Sequence, residues 1–329
     1  MERSARIMGL GSATPSKVLT NRDLEAIVDT TEQWILEHSG IRERHICQDG
    51  ENTSDLCLAA AEKALERAGV DPQDIGMVIC ATLTGDYRGF PAVASLVQDG
   101  IGAKHAGAFD LQAGCTGFVY ALSVGAQFVA NGAYDHVLVL GSDVLSRITD
   151  WTDRASCVLF GDAAGAVVLG PTENGRGYLG HVLDSYGNLG DLLCIPIGGT
   201  REPPTPENLK LKKHYIQMEG HEVFKHAVRR VPEMVEKVCK QVGVKVQDID
   251  YLIPHQANQR IMDAAMKRLD LPPEKVLGNL ERYGNTSNGS IPLLLDEANQ
   301  AGLFKEGDLL VLVGFGAGFT VGGLALRWG

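Results

Sequence analysis

Residues 66–79, ERAGVDPQDIGMVI, and residues 240–253, KQVGVKVQDIDYLI, are one passage written twice. Without a gap, a glycine, a valine, the Gln-Asp-Ile triplet and the closing isoleucine coincide at an offset of 174. A second pair, DHVLVLGSD (135–143) and GDLLVLVGFG (307–316), recurs at an offset of about 173. Two distinct segments sharing one offset point to duplication of a unit of ~170 residues, and self-similarity of this kind must be read before anything else.

Working outward, the unit is α/β. A helix is predicted over 54–69: it starts at Thr53/Ser54, carries Leu58, Ala61, Leu65 and Ala68 on one stripe, and stops at Gly69. The strand IGMVICA follows. VLVL (137–140) and LLVLV (309–313) are unbroken apolar runs, as in strands covered on both faces. Helices alternating with buried strands imply a sheet with helices on either side. Two such units sharing a central helical layer give five layers, α/β/α/β/α. The Pro, Asn and Gly of PTENGRG (171–177) break regular structure. They divide the chain into 1–172 and 173–329.

The bulk numbers exclude several functions. With 329 residues, 44% apolar and 22% charged, the chain is an ordinary globular protein with room for a large core. A net charge of −11 offers nucleic-acid phosphates no broad basic face. No apolar run reaches the ~18 residues that span a bilayer, so no membrane association is expected. The start, MERSARIMGLGSATPS, lacks a continuous apolar stretch, so no signal peptide is expected and the cytoplasm is the expected home. Seven cysteines (47, 57, 80, 115, 157, 194 and 239) include no CxxC pair, which gives neither a disulfide framework nor a metal site.

Three residues carry the chemistry. Cys115, in FDLQAGCTGFVYAL, stands between a strand-like stretch and a helix-like one. That position places its sulfur near free helix N–H groups and predicts a lowered thiol pKa. Its own N–H is placed to help bind an oxyanion. His255, in LIPHQAN, ends the repeated strand where the first unit has Ala81, as expected when one copy gains chemistry. Asn285, in YGNTSNGS, precedes a helix predicted over 290–301. A thiol, an imidazole and a carboxamide together make a nucleophile, a proton partner and a neutral donor, the set of a covalent acyl-transfer enzyme. The glycine-rich GFGAGFTVGG (314–323) suggests backbone approaching a ligand, and no GK[ST] makes it a phosphate loop. Cysteine, then histidine, then asparagine is also the order of papain-like proteases, but here the cysteine lies mid-chain beside Gly-Phe rather than Trp.

Along nearly its whole length the chain resembles the β-ketoacyl-acyl carrier protein synthase III enzymes of the thiolase superfamily. The strings that carry the likeness are DTTEQWILEHSGIRERHI (29–46), CTGFVYAL, LFGDAAGAVVL (159–169), PHQANQRI (254–261), YGNTS and GFGAGFT. The resemblance implies a duplicated five-layer thiolase-like fold, a homodimer, and a ping-pong decarboxylative Claisen condensation that initiates type II fatty-acid synthesis. Cys115 would take an acyl group from an acyl-CoA and release CoA. Malonyl-acyl carrier protein would then bind, and His255 and Asn285 would stabilise the enolate left by CO2. The N–H groups of Cys115 and Ala317 would hold the oxyanion. No metal or cofactor is implied, the CoA thioesters being substrates. A second cysteine, as in degradative thiolases, is missing from 314–318, and Asn285 stands where elongating synthases have a second histidine.

The same likeness assigns CoA or substrate contacts to Trp34, Arg154, Met218, Gly220 and Phe224, and to Phe90 reaching across the dimer. It assigns carrier-protein contacts to Gln256, Ala257, Asn258, Gln259, Arg260, Lys225, Lys267 and Arg268, with Arg229 on the face of Lys225. An acidic carrier meeting an acidic chain requires such a local basic patch. The chain departs from the pattern at His38, where an arginine is usual, at Asn288-Gly289, at Val321, and in the long segment 196–213. These departures bear on donor and primer choice. They also leave open a synthase of a specialised polyketide or alkyl-quinolone pathway, or a non-catalytic binder of CoA or carrier protein.

Overall fold

The computed structural model describes residues 3–173 and 175–329; Asn174, inside the expected dividing segment, lies outside the described residues, as do Met1 and Glu2. Strands β1 (Ser4–Ala13), β2 (Ile75–Ala81), β3 (Gly107–Leu111), β4 (His136–Val144) and β5 (Asp162–Thr172) form one sheet in the order β1-β5-β4-β2-β3. Strands β6 (Gly177–Ser185), β7 (Tyr251–Pro254), β8 (Leu309–Gly316) and β9 (Thr320–Arg327) form a second, β7-β8-β9-β6. In each sheet a parallel pair, β2 with β4 or β7 with β8, is followed by two antiparallel neighbours. The repeated passages therefore occupy equivalent strands. Strand β3, which pairs in parallel with β2, is the first sheet's addition.

The longer helices are α1 (Glu32–Ser39), α2 (Thr53–Ala68), α3 (Val93–Gly100), α4 (Gly117–Ala130), α5 (Gly220–Val242), α6 (Gln259–Met266) and α7 (Ser290–Gln300). Helices α4 and α7 lie between the sheets, α2 and α3 cover the outer face of the first, and α5 and α6 the outer face of the second. These are the five layers. The central core joins Phe118, Leu122 and Val129 of α4 and Ile291 and Leu295 of α7 to Val139 and Val167 of the first sheet and Leu310, Leu312 and Leu324 of the second. Strands β4 and β8 are buried on both faces because each has a helical layer above and below.

Helix α2 starts at Thr53, as expected, on an Asn52–Asp55 capping box, and is closed by Gly69 in the left-handed region, φ 65°. Its buried stripe is rotated from the expected one. Leu56, Cys57, Ala60, Ala61, Ala64 and Leu65 face inward, while Leu58 and Ala68 are only partly covered. The cause lies on β1. A Cβ at Gly9 or Gly11 would fall inside contact distance of the Ala64 and Ala60 carbonyls, so the small-residue face of α2 sits directly on the strand. Helix α7 ends at Gln300, with Ala301 as its cap.

Candidate active site

A cavity of about 800 Å³ opens between the halves, and Cys115, His255, Asn285 and Ala317 all line it. Each arrives at the end of an element. Cys115 lies between β3 and α4, His255 directly after β7, Asn285 in the loop before α7, and Ala317 in the turn joining β8 to β9. Gly114 adopts φ 58°, and a Cβ there would run into the backbone N and O of Ala317; one at Gly316 would run into the backbone of Cys115. Only glycines let the two chain segments meet. This turn is tied down by the Thr320 hydroxyl, 2.7 Å from the Ala113 carbonyl and 3.0 Å from Thr116 Oγ1.

The thiol is not where the sequence reading put it electrostatically. Helix α4 begins only at Gly117, and the first amides are already engaged. Thr116 N–H donates to Ala113 O (3.3 Å), Gly117 N–H to Gly114 O (3.1 Å) and Phe118 N–H to Asn288 Oδ1 (3.0 Å). Burial pushes the Cys115 thiol up to about 11, with a further push from Asp143 against a pull from the Ser287 hydroxyl. The direction is opposite to the lowering expected from a helix terminus, and the first α4 amides are spent on other acceptors.

His255 is 1% exposed, and burial pushes its imidazole down to about 3, so the ring is neutral. Its Nδ1 lies 2.7 Å from Ser290 Oγ, and Phe315 meets the ring edge-on at 5.6 Å between centroids. Asn285 is pinned from both sides. Its N–H donates to Leu159 O (2.8 Å), its carbonyl accepts from Gly161 N–H (3.0 Å), and its Oδ1 accepts from Ser287 N–H (2.9 Å). With Oδ1 occupied, the carboxamide nitrogen is the group left for a ligand.

Behind these residues lies a network that the sequence reading missed. Asp143, fully buried at the end of β4, accepts from Leu83 N–H (2.6 Å), Thr82 Oγ1 (3.2 Å), Thr84 Oγ1 (3.1 Å), Asn288 N–H (3.2 Å) and Asn288 Nδ2 (2.8 Å). Burial raises its pKa against the pull of Ser287, Leu83 and Asn288. Asn288 thus joins a first-half carboxylate to the first turn of α4. It is 1% exposed and does not line the cavity, so its contacts reach the first turn of α4 and not the cavity itself. The signal for it was a polar residue closing the apolar run VLVLGSD, matched by an asparagine in YGNTSNGS.

Trp34, Met218, Gly220 and Phe224 line the same cavity. His38 stacks on Trp34 at 4.3 Å between ring centroids, and the Arg154 guanidinium lies 4.8 Å from the indole. Gly199 of the long 196–213 segment reaches the cavity rim. Val321, 1% exposed, is in the core outside the second sheet. Phe90 stands apart, 87% exposed on the 84–92 loop.

The carrier-protein set splits. Gln256 is 2% exposed and spent inside the chain, donating to Pro254 O (2.8 Å) and accepting from Asn279 N–H (3.1 Å). Ala257, buried, lines the cavity instead of a surface. Neither is available for protein docking, because the chain turns inward after β7. Asn258 caps α6 and lines the cavity, and Gln259 binds Asp263 on its own helix. Arg260, Lys267, Arg268 and Lys225 are exposed. Arg268 donates to the Val228 and Arg229 carbonyls of α5, which ties the end of α6 to that helix.

The duplicated five-layer fold, with a cysteine, a histidine and an asparagine on one buried cavity between its halves, is that of the thiolase-like condensing enzymes. The family model described as 3-oxoacyl-[acyl-carrier-protein] synthase III matches residues 109–187, and that for its C-terminal part matches 239–328. A β-ketoacyl-[acyl-carrier-protein] synthase III of Symbiobacterium thermophilum is 51% identical over 99% of both chains. The solved synthase III of Aquifex aeolicus superposes with a TM-score of 0.91 at 42% identity, covering 98% of this chain and 100% of that one. A priming β-ketosynthase of the R1128 polyketide pathway gives 0.92 at 33% identity, covering 99% and 97%. The chain belongs to the β-ketoacyl-[acyl-carrier-protein] synthase III family, whose members are acyltransferases of the condensing type.

Proposed function

We propose that this protein carries out the initiating condensation of type II fatty-acid synthesis. A short acyl-CoA acylates Cys115, CoA departs, and malonyl-acyl carrier protein binds in its place. Loss of CO2 leaves an enolate whose oxygen is held by His255 and Asn285, and its carbon attacks the acyl-cysteine. The N–H groups of Cys115 and Ala317 stabilise the tetrahedral oxyanion. The observation that carries this reading is the meeting of Cys115, His255, Asn285 and Ala317 on one cavity, in a chain about half identical to enzymes named for this reaction.

Trp34, Arg154, Met218, Gly220 and Phe224 hold the CoA donor in this reading, and Arg260, Lys267, Arg268 and Lys225 receive the carrier protein. Exposed Phe90 serves a homodimer, the halves divide at 172/173, and the enzyme works in the cytoplasm without a cofactor. The likeness to a polyketide priming enzyme, together with the long rim segment, supports a second reading: the same chemistry on a specialised primer. Incubation with a panel of acyl-CoAs followed by intact-mass measurement tests both. A short-chain adduct that is lost in Cys115→Ala supports the first, and adducts only from longer or unusual primers support the second. No adduct with any primer, or labelling that persists without Cys115, overturns both.

A further inference from the structure

Ser290, the first residue of α7, is buried, and its hydroxyl lies between two partners: His255 Nδ1 at 2.7 Å and the Ser287 carbonyl at 2.8 Å. A carbonyl oxygen can only accept, so the single hydroxyl hydrogen satisfies the bond to Ser287. The Ser290 oxygen then has only lone pairs to offer the ring, and Nδ1 must carry the proton. The opposite assignment, with the hydroxyl donating to Nδ1, gives up the bond to Ser287 and makes one hydrogen bond where the first makes two. In a neutral ring, a proton on Nδ1 leaves Nε2 bare. With Nδ1 turned toward α7, Nε2 is the ring nitrogen left to the cavity that His255 and Cys115 share.

We propose that Ser290 is a positioning residue that fixes His255 as its Nδ1–H tautomer, so that Nε2 serves as the proton acceptor for Cys115 in the acylation half-reaction. This rests on the condensing-enzyme reading above. As the Cys115 sulfur bonds to the acyl carbon, its proton passes to Nε2. The bond from acyl carbon to CoA sulfur breaks, and the same proton moves from Nε2 to that sulfur; the ring ends neutral, as it began. Condensation consumes one proton from solvent. It reaches Nε2 as the malonyl thioester oxygen takes on enolate charge, whose negative charge beside the ring offsets the burial that keeps the resting imidazole neutral, and it finishes on the Cys115 sulfur as the thiolate is expelled. Through both halves the Nδ1–H stays on Ser290, which accounts for a serine whose own proton is committed elsewhere.

The test reads the tautomer directly. In protein labelled with [15N]histidine, ring two-bond proton–nitrogen correlations distinguish a protonated Nδ1 from a protonated Nε2, and the His255 signals are those missing from His255→Asn. The expected result is the Nδ1–H pattern in the wild type, loss of that pattern in Ser290→Ala, and its return in Ser290→Thr, which keeps a hydroxyl. Acylation of Cys115 by acetyl-CoA, followed by quench and intact mass, is expected to slow at least tenfold in Ser290→Ala while the Thr variant recovers most of the rate. An Nε2–H pattern in the wild type, or an unchanged pattern in Ser290→Ala, overturns the proposal. The resonance measurement needs no substrate, so a chain that proved unable to carry an acyl group would sink the condensing reading and still report the tautomer.

Discussion

Replacing Asn288 with alanine removes two hydrogen bonds from the seam between the halves. Phe118 N–H loses its acceptor at 3.0 Å, and the Asp143 carboxylate loses the donation from Nδ2 at 2.8 Å. Asp143 keeps Thr82, Leu83, Thr84 and the residue 288 amide as donors, so its loss falls at the low end of the roughly 1.5–3 kcal/mol of a bond to a charged group. An orphaned buried amide costs about 1–3 kcal/mol more. Together these predict a destabilisation of about 3 kcal/mol, measured from urea unfolding followed by circular dichroism at pH 8. Asn288→Asp separates the two contributions. It can still accept from Phe118, but it sets a second carboxylate against Asp143, and like charges so placed drive one of them to take up a proton. The expected order of stability at pH 8 is wild type, then Asn288→Ala, then Asn288→Asp, with the aspartate variant recovering relative to alanine on going to pH 5. An alanine variant within about 1 kcal/mol of wild type, or an aspartate variant equal to it at pH 8, refutes the reasoning.

His255 is held neutral, with its pKa pushed down to about 3 from 6.5, so between those values the unfolded chain binds a proton that the folded one does not. Stability attributable to this ring is complete above pH 6.5 and falls as pH drops, by up to ~1.4 kcal/mol per unit; unfolding curves at pH 7 and 5 compared with those of His255→Gln should show the variant losing less. Alkylation of resting Cys115 by iodoacetamide should be slow at pH 7 and rise about tenfold per pH unit toward 11, whereas a plateau reached by pH 8 would show that the helix terminus wins after all. Charge reversal at Arg260 or Arg268 should raise KM for malonyl-carrier protein severalfold at low salt and leave the acyl-CoA adduct rate unchanged; an equal fall in adduct rate would place these cations in donor binding instead.

Much of the architecture was legible because duplication is recorded twice in the chain. The two copies of the Gln-Asp-Ile passage end in β2 and β7, and the apolar runs after them become β4 and β8. The residues of the cavity were legible for a related reason: glycine and turn residues around Cys115, Asn285 and Ala317 mark places where backbone must come close. What stayed hidden depends on direction in space. The likeness assigns Gln256 through Arg260 to one docking surface, yet Gln256 is buried in the protein and Arg260 is exposed. The face of α2 was misread because the glycines that decide it are on β1, more than forty positions away in sequence. The thiol's acidity was misjudged because one acceptor that consumes the α4 amides, Asn288, comes from the other half of the chain.

The central layer carries a consequence for how the protein is made. Helix α4 presents Phe118, Leu122 and Val129 to a core that is closed by Leu310, Leu312 and Leu324. At translation rates of about 5–20 residues per second, those strands leave the ribosome roughly 10–40 s after the helix. Until then the nascent first half holds an oily face with nothing to cover it, and a chaperone that shields apolar surface should bind it there. Synthesis, more than equilibrium stability, is then the stage at which this chain is most exposed to aggregation.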